Sequence, residues 1–316
     1  MNPSKAKVES PAAGPDKSQK LSMRLQQIYP KRLLSWLMYL ATRIRFAPWK
    51  NWQIRWFIRR FGVDMSDAEV QSPKAFTDFN SFFTRALKRG VRPLPKDSRS
   101  VVSPGDGVLY DFGTIEDSAL IQAKAHRYAV SALLAETREA AKCFDNGSYF
   151  SLYLSPKDYH RVHMPFGGVL KQMVYVPGSR FSVSPDTAKN IPGLFARNER
   201  VISWFETYAG RMAVVMVGAI FVGAIDTVWH GPVTPASERE ITRWRYDPPV
   251  TTITLARGAE MGRFNMGSTV VVLLDRKVAA WRSKLVAGTR VQMGQTLATF
   301  GPDVPDPSEK DEASES

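Results

Sequence analysis

Apolar positions along this chain change their period near residue 100. Before it, Leu33, Trp36, Leu37, Leu40 and Ile44 recur at helical spacing. Pro48 interrupts, then Trp49, Trp52 and Trp56 resume the pattern, joined by Phe57 and Phe61. Side chains three and four apart share one face of a helix, so the spacing predicts amphipathic helices within 21–61. Phe76, Phe79, Phe82 and Phe83 continue the same spacing, with Arg85 and Leu87 behind them. They predict a further helix in 66–93, whose aromatic stripe reads either as core or as the lining of a ligand site. Arg92-Pro93-Leu94-Pro95 closes it.

Beyond residue 100 the pattern becomes short β-rich runs between turn residues: 101–102, 107–112, 149–154, 168–176, 201–207, 212–228, 251–255 and 269–274. Only 131–142 reads as a helix. The apolar run 212–225 contains Gly218, Gly223 and many β-branched residues. It is too short to cross a bilayer and predicts one or two buried strands. The expected fold class is therefore α+β, with basic amphipathic N-terminal helices attached to a β-rich, sandwich-like domain. The expected segments are a disordered leader at 1–20, a helical region at 21–95, the β-rich domain at 96–301 and an acidic disordered tail at 302–316. The leader lacks the apolar core and cleavage site of a signal peptide.

Charge sharpens this division. The formal net charge is +13, and the segment from Lys17 to Val63 holds eleven Lys and Arg with no Asp or Glu, leaving +2 for the remainder. Lys31, Arg32, Arg43, Arg45, Lys50, Arg55, Arg59 and Arg60 interleave with four of the eight tryptophans. Basic residues among Trp and Phe suit the headgroup boundary of an anionic membrane. Two other readings stand beside it: helices packed on the body with a solvated basic face, and a nucleic-acid surface, although no nucleic-acid motif is present. Cys143 is the single cysteine, so no intrachain disulfide can form, which fits a reducing compartment.

Candidate chemistry gathers in three places. Glu260-Met261-Gly262-Arg263-Phe264-Asn265-Met266-Gly267-Ser268-Thr269 runs directly into the apolar stretch 270–274, so a Gly-Ser-Thr turn leads into a buried strand. A serine there has a fixed backbone and a dry neighbourhood, as a reacting hydroxyl or as ordinary turn chemistry. Two of the four histidines, His160 and His163, lie in Tyr159-His160-Arg161-Val162-His163-Met164-Pro165. They read as satisfied polar groups, as a general base, or as a metal pair lacking an evident third ligand. Ser103-Pro104-Gly105-Asp106-Gly107 is a tight turn that presents one carboxylate. An Asp that orients a His that deprotonates a Ser is a recurring logic, independent of chain order.

With Phe79-Asn80-Ser81-Phe82-Phe83-Thr84-Arg85, Arg92-Pro93, Val176-Pro177-Gly178 and Leu194-Phe195-Ala196-Arg197-Asn198-Glu199-Arg200-Val201, these strings resemble the phosphatidylserine decarboxylases, pyruvoyl-dependent enzymes of the membrane-associated bacterial type. The resemblance runs from about residue 20 to 300. Met266 departs from it, where such members usually carry Leu, a residue of similar volume.

The resemblance implies a proenzyme that cuts itself between Gly267 and Ser268 into chains 1–267 and 268–316, which stay in one complex. It implies Ser268 as nucleophile, His163 as its base and Asp106 holding the tautomer of His163. Residue 268 then becomes a covalent pyruvoyl group, which forms a Schiff base with phosphatidylserine and yields phosphatidylethanolamine and carbon dioxide. His160 is expected to assist decarboxylation or the protonation that follows. The implied partners are phosphatidylserine, an anionic membrane surface and a second copy in a homodimer, with no metal and no nucleic acid. The implied location is the cytoplasmic face of the cell membrane, held peripherally. A pyruvoyl decarboxylase for a soluble amino acid needs no basic amphipathic segment. A scaffold that had lost catalysis would show a broken Gly-Ser, Asp or His. A serine hydrolase would frame Ser268 with a Gly-x-Ser-x-Gly elbow, which is missing here.

Overall fold

A computed structural model describes residues 37–38, 40–122, 126–219, 224–234, 240–246, 252–265 and 268–305. The chain divides into Met1–Pro30, which lies outside these residues, and the unit Lys31–Ser316. The expected leader, the helical positions Leu33 and Trp36, Gly267 and the tail from 306 onward also lie outside the described residues.

Helix α1 is Ala47–Phe61. Residues 37–38 and 40–41 are helical and 42–46 are not, so the expected break falls just before Pro48, which sits in the first turn of the next helix, where a missing N–H costs nothing. Gly62 ends it at φ 65°, donating its N–H back to Ile58. The helix buries Lys50, Ile54 and Phe57 and leaves Trp49, Trp52 and Trp56 exposed. Lys50 thus departs from the expected basic face. Its ammonium donates to Asn51 Oδ1 at 2.9 Å and to the carbonyls of Pro73 and Lys74 at 3.2 and 3.3 Å.

The aromatic stripe is helical only over Phe79–Phe83, helix α2, where Asp78 and Ser81 form a capping box. Phe76, Phe79, Phe82 and Phe83 pack with Ile54, Phe57 and Val63 into a small core of their own. Of the two readings of the stripe, core is the one observed.

Among the described residues the strands are β1 (Ser100–Val102), β2 (Gly107–Thr114), β3 (Ala119–Gln122), β4 (His126–Ala129), β5 (Ser148–Leu154), β6 (Arg161–His163), β7 (Gly168–Val176), β8 (Arg200–Thr207), β9 (Gly210–Val217), β10 (Ile225–Thr227), β11 (Gly231–Pro232), β12 (Thr242–Arg245), β13 (Ile253–Leu255), β14 (Glu260–Phe264), β15 (Ser268–Leu274), β16 (Ala280–Trp281), β17 (Arg290–Val291) and β18 (Thr296–Thr299). A nine-stranded sheet runs β12-β7-β8-β9-β15-β5-β2-β17, with β13 also on β7. A four-stranded sheet runs β11-β10-β14-β6, a three-stranded one β1-β18-β16, and β3 pairs with β4. All the strand pairings are antiparallel. The β-rich α+β class holds.

β15 lies between β5 and β9 and is buried at every position, which is why its sequence is a continuous apolar run and not an alternating one. The run 212–225 splits at Gly218: its first half is β9, and Ile225 opens β10 in the smaller sheet. The helix expected over 131–142 is also split. Val130–Leu134 stops at Ala135, which is left-handed at φ 52°. Thr137 then starts Arg138–Ala141 by accepting the Ala140 N–H on its hydroxyl.

Candidate active site

Ser268 is the first residue of the central strand β15 and is completely buried, paired with Leu154 of β5. Among the described residues its hydroxyl has no hydrogen-bond partner. Neither has the hydroxyl of the buried Thr269, nor the side-chain oxygen of the buried Asn265. Leaving a buried polar atom unpaired costs about 1–3 kcal/mol, so a cluster of three at one strand entrance marks a place where something other than stability has fixed the residues. Asn265 is itself held: its amide nitrogen donates to the Ala224 carbonyl at 3.0 Å and to Asp226 Oδ1 at 3.3 Å.

Chain connectivity ties the His160 segment to the strands on either side of Ser268. β5 ends at Leu154, opposite Ser268, and six residues later His160 accepts the Phe264 N–H on its carbonyl at 3.0 Å. Phe264 ends β14, four residues before Ser268. Two short segments therefore run between the same pair of backbone contacts. Asp158 stiffens the first by accepting the Ser155 N–H at 2.8 Å and its hydroxyl at 2.6 Å.

The His160 ring is fully buried and stacks on Phe83 with centroids 4.1 Å apart and planes at 17°. Among the described residues neither ring nitrogen makes a hydrogen bond of normal geometry, although the Ser155 and Pro156 backbone groups lie near enough to favour its proton. Burial pulls its pKa down to about 3, and the charge of Arg85 adds to the shift. The ring is therefore neutral at physiological pH.

His163, on β6, is held at both nitrogens. Nδ1 lies 2.8 Å from the Gly258 carbonyl oxygen and Nε2 lies 2.8 Å from the Tyr159 hydroxyl. A carbonyl can only accept, so the proton is on Nδ1 and the Nε2 lone pair receives the tyrosine O–H. Burial pulls the pKa below the ordinary histidine value, against the Gly258 carbonyl and the Glu260 charge, which favour the proton. Burial likewise pushes the Tyr159 phenol well up, so the hydroxyl stays protonated.

Here the structure departs from the sequence expectation. Asp106 does not hold the tautomer of His163. Its carboxylate is taken by Arg92, Nη2 at 2.6 Å and Nε at 3.2 Å, and by the Met293 N–H at 2.8 Å. A planar guanidinium offers two parallel donors to a carboxylate, which one imidazole N–H cannot match. The influence of Asp106 is indirect. Its turn supplies the Pro104 carbonyl that accepts the His163 N–H at 2.8 Å, and its negative charge favours a protonated His163.

The sequence therefore pointed to Ser268, His160, His163 and Asp106, and the fold ties His160 to Ser268 through backbone contacts and His163 to the Asp106 turn. It missed the Gly258 carbonyl, which no sequence signal marks. It also missed Tyr159, which stands four residues before His163, and Arg92, which stood in the quoted strings without a role. His126 and His230 lie elsewhere, on the Lys189 carbonyl and against Trp244. Among the described residues no three or more His, Cys, Asp or Glu are grouped to hold a metal.

Comparison with known proteins adds an independent line. The family model for phosphatidylserine decarboxylase matches residues 79–299, and a second, named PSD, matches 21–62. A protein of Ectopseudomonas mendocina is 48% identical over 280 residues, covering 88% of this chain and 98% of its own. One of Methylococcus capsulatus is 47% identical over 281 residues, covering 89% and 96%. One of Pseudomonas aeruginosa is 48% identical over 274 residues, covering 86% and 94%. All three are named phosphatidylserine decarboxylase proenzyme.

Proposed function

Because the chain belongs to the phosphatidylserine decarboxylase family, we propose that it is a self-cleaving proenzyme that converts phosphatidylserine to phosphatidylethanolamine and carbon dioxide. The observation that carries the reading is the Ser268 hydroxyl, fully buried, without a partner among the described residues, at the entrance of a central strand whose neighbours Leu154 and Phe264 flank the His160 segment.

In this reading the Ser268 hydroxyl attacks the Gly267 carbonyl carbon, and the amide becomes an ester. The hydroxyl needs a base. His163 supplies it through the Nε2 lone pair, which Tyr159 must release to the serine. The Gly258 carbonyl keeps the proton on Nδ1, and the charge of Asp106 favours the imidazolium that forms. Loss of the Ser268 α-proton then expels the 1–267 chain as a carboxylate and leaves dehydroalanine. Water converts that to a pyruvoyl group and releases ammonia. The 268–316 chain remains bound, since β15 is paired on both sides, β17 pairs with β2 and β18 with β1.

The pyruvoyl carbonyl supplies a point of attachment for the substrate amine and a sink for the electron pair left as carbon dioxide departs. The residues present fit that group, because position 268 is dry and its neighbours Thr269 and Asn265 keep uncommitted polar atoms there. His160, neutral and seated on Phe83, assists decarboxylation or the protonation that follows.

The same proposal places the protein peripherally on an anionic leaflet, at the cytoplasmic face of the cell membrane. Leu37, Leu40, Ile44, Phe46, Trp49, Trp52 and Trp56 are all exposed, and Arg45, Arg55, Arg59 and Arg60 are exposed among them. No helix of the described residues is long and apolar enough to cross a membrane. A homodimer belongs to the proposal, and light scattering in detergent tests it.

Intact mass of the purified protein tests the whole reading. Two chains are expected, the smaller beginning at residue 268 with pyruvoyl in place of serine, together with release of carbon dioxide from phosphatidylserine. A single uncut chain of 35.4 kDa overturns it.

A further inference from the structure

Beside the site lies a polar cleft of about 260 Å³ whose walls include Gly62, Arg85, Asp106, Lys157 and Tyr159. Four carboxylates face it, and each is already occupied. Asp67 and Asp106 share Arg92, at 2.8 and 2.6 Å. Asp158 takes Arg290 and Ser155. Asp64 accepts the Ser66 N–H at 2.8 Å.

Two cations are left over. Arg85 is 5% exposed, and among the described residues no carboxylate lies within ion-pair distance of it. Its Nη2 reaches only the carbonyls of Lys157 and Asp158, at 3.3 and 3.4 Å, the long end of hydrogen bonding. Its Nε is buried and has no acceptor among the described residues. One face of the guanidinium rests on Phe82, 5.6 Å from the ring centroid. Lys157 is exposed on the same cleft and has no ion-pair partner among the described residues. A buried cation with an unfilled donor is costly unless an anion completes it, and the guanidinium fork matches tetrahedral oxyanions.

We propose that Arg85 and Lys157 form the subsite for the phosphodiester of the lipid headgroup. The assignment rests on the functional reading above and adds the anchor that reading lacks. Arg85 reaches the Asp158 carbonyl, two residues before His160, and stands two residues after Phe83, on which the His160 ring stacks, so the subsite adjoins the His160 segment. In the substrate the phosphorus is only three bonds from the carbon that bears the amine and the carboxylate. The substrate's own carboxylate is the poorer occupant. A cation held on it would stabilise the group that must leave and slow its loss. Gly62, which ends the tryptophan-bearing helix, is also on the wall of this cleft, so the headgroup slot opens beside the exposed tryptophan and arginine face.

The test is decarboxylation of monomeric dioctanoyl phosphatidylserine by the full protein in detergent, which removes vesicle binding from the measurement. Arg85→Gln is expected to raise KM about tenfold and Lys157→Glu about threefold or more, with the change mainly in KM and self-cleavage complete. Inorganic phosphate is expected to compete with substrate in the wild type and to compete more weakly in either variant. Arg85→Lys, which restores charge without the fork, is expected to recover part of the loss. A purely structural Arg85 would lower the yield of cleaved protein and leave KM and phosphate competition alone. KM within twofold of wild type in cleaved Arg85→Gln overturns the subsite. If that variant does not fold, unchanged KM and phosphate competition in Lys157→Glu overturn it instead. No carbon dioxide from the wild type overturns the functional reading, a failure visible before any variant is made.

Discussion

The Nδ1 of His163 and the carbonyl oxygen of Gly258 stand 2.8 Å apart, and that contact decides which nitrogen carries the proton. With Nδ1 committed as donor, Nε2 is the basic nitrogen, and it is the one that Tyr159 occupies in the uncut chain. A backbone carbonyl fixes the tautomer without adding a charge, so the ring stays neutral and ready to accept.

His163→Ala is therefore expected to leave the chain uncut, since a serine hydroxyl without a base loses at least about a hundredfold in rate. Intact mass after overnight incubation should show one chain, as for Ser268→Ala. Complete cleavage of His163→Ala would remove His163 from the base role.

His160 predicts the opposite separation. Its ring stacks on Phe83 and, among the described residues, makes no hydrogen bond of normal geometry, so no strong contact of the uncut chain depends on its nitrogens. His160→Ala should cleave yet release carbon dioxide from phosphatidylserine at least about a hundredfold more slowly. A variant that cleaves normally and decarboxylates at the wild-type rate would show that the ring only fills space.

How much of this was legible in sequence follows from what each residue answers to. The stretch 270–274 announced itself because a strand buried on both faces must be apolar throughout. Gly262, in the string before Ser268, has a reason visible only in three dimensions: a Cβ there would meet the Asp226 carbonyl oxygen at 2.5 Å, across the β10–β14 pairing. The broken helix at 130–141 turned on one left-handed alanine, which no propensity marks. The partner of Asp106 was misassigned because triad logic ranks residue types, whereas Arg92, 14 residues away in sequence, supplies a second donor that a histidine lacks. The Gly258 carbonyl is backbone and leaves no trace in residue identity.

Acid should destabilise this fold through its buried histidines. His160 titrates at about 3 and His163 below the ordinary value, in both cases chiefly because burial disfavours the charged ring. Unfolded, both return to about 6.5. Below that pH the unfolded chain binds protons the folded chain refuses, so stability falls as pH drops, with no such slope above it. His160 alone accounts for about 2 kcal/mol between pH 6.5 and 5. The raised carboxyls of Asp111, Asp226 and Asp275 act in the opposite direction, so the comparison needs a control. Urea midpoints of Ser268→Ala at both pH values, with and without His160→Phe, isolate the term. The double variant should lose less stability on acidification.

The exposed face of α1 predicts a membrane phenotype separable from chemistry. Trp49 and Trp52 stack at 5.3 Å, and with Trp56 they stand on the side opposite the buried Ile54 and Phe57. Arg55, Arg59 and Arg60 border them in solvent. Each arginine near an anionic leaflet contributes about 1 kcal/mol, so replacing all three by Gln should weaken binding to phosphatidylserine-containing vesicles about a hundredfold. Added salt should weaken wild-type binding more steeply than that of the triple variant, which keeps Arg43 and Arg45, because only the charge contribution is screened. Trp49→Ala with Trp52→Ala and Trp56→Ala should instead lower binding to neutral and anionic vesicles alike. Self-cleavage should be complete in both sets, because the contacts that hold Ser268 and His163 lie in β5, β6, β14 and β15, none of which these side chains support. Equal vesicle binding by wild type and the triple arginine variant at low salt would return this face to an ordinary solvated surface.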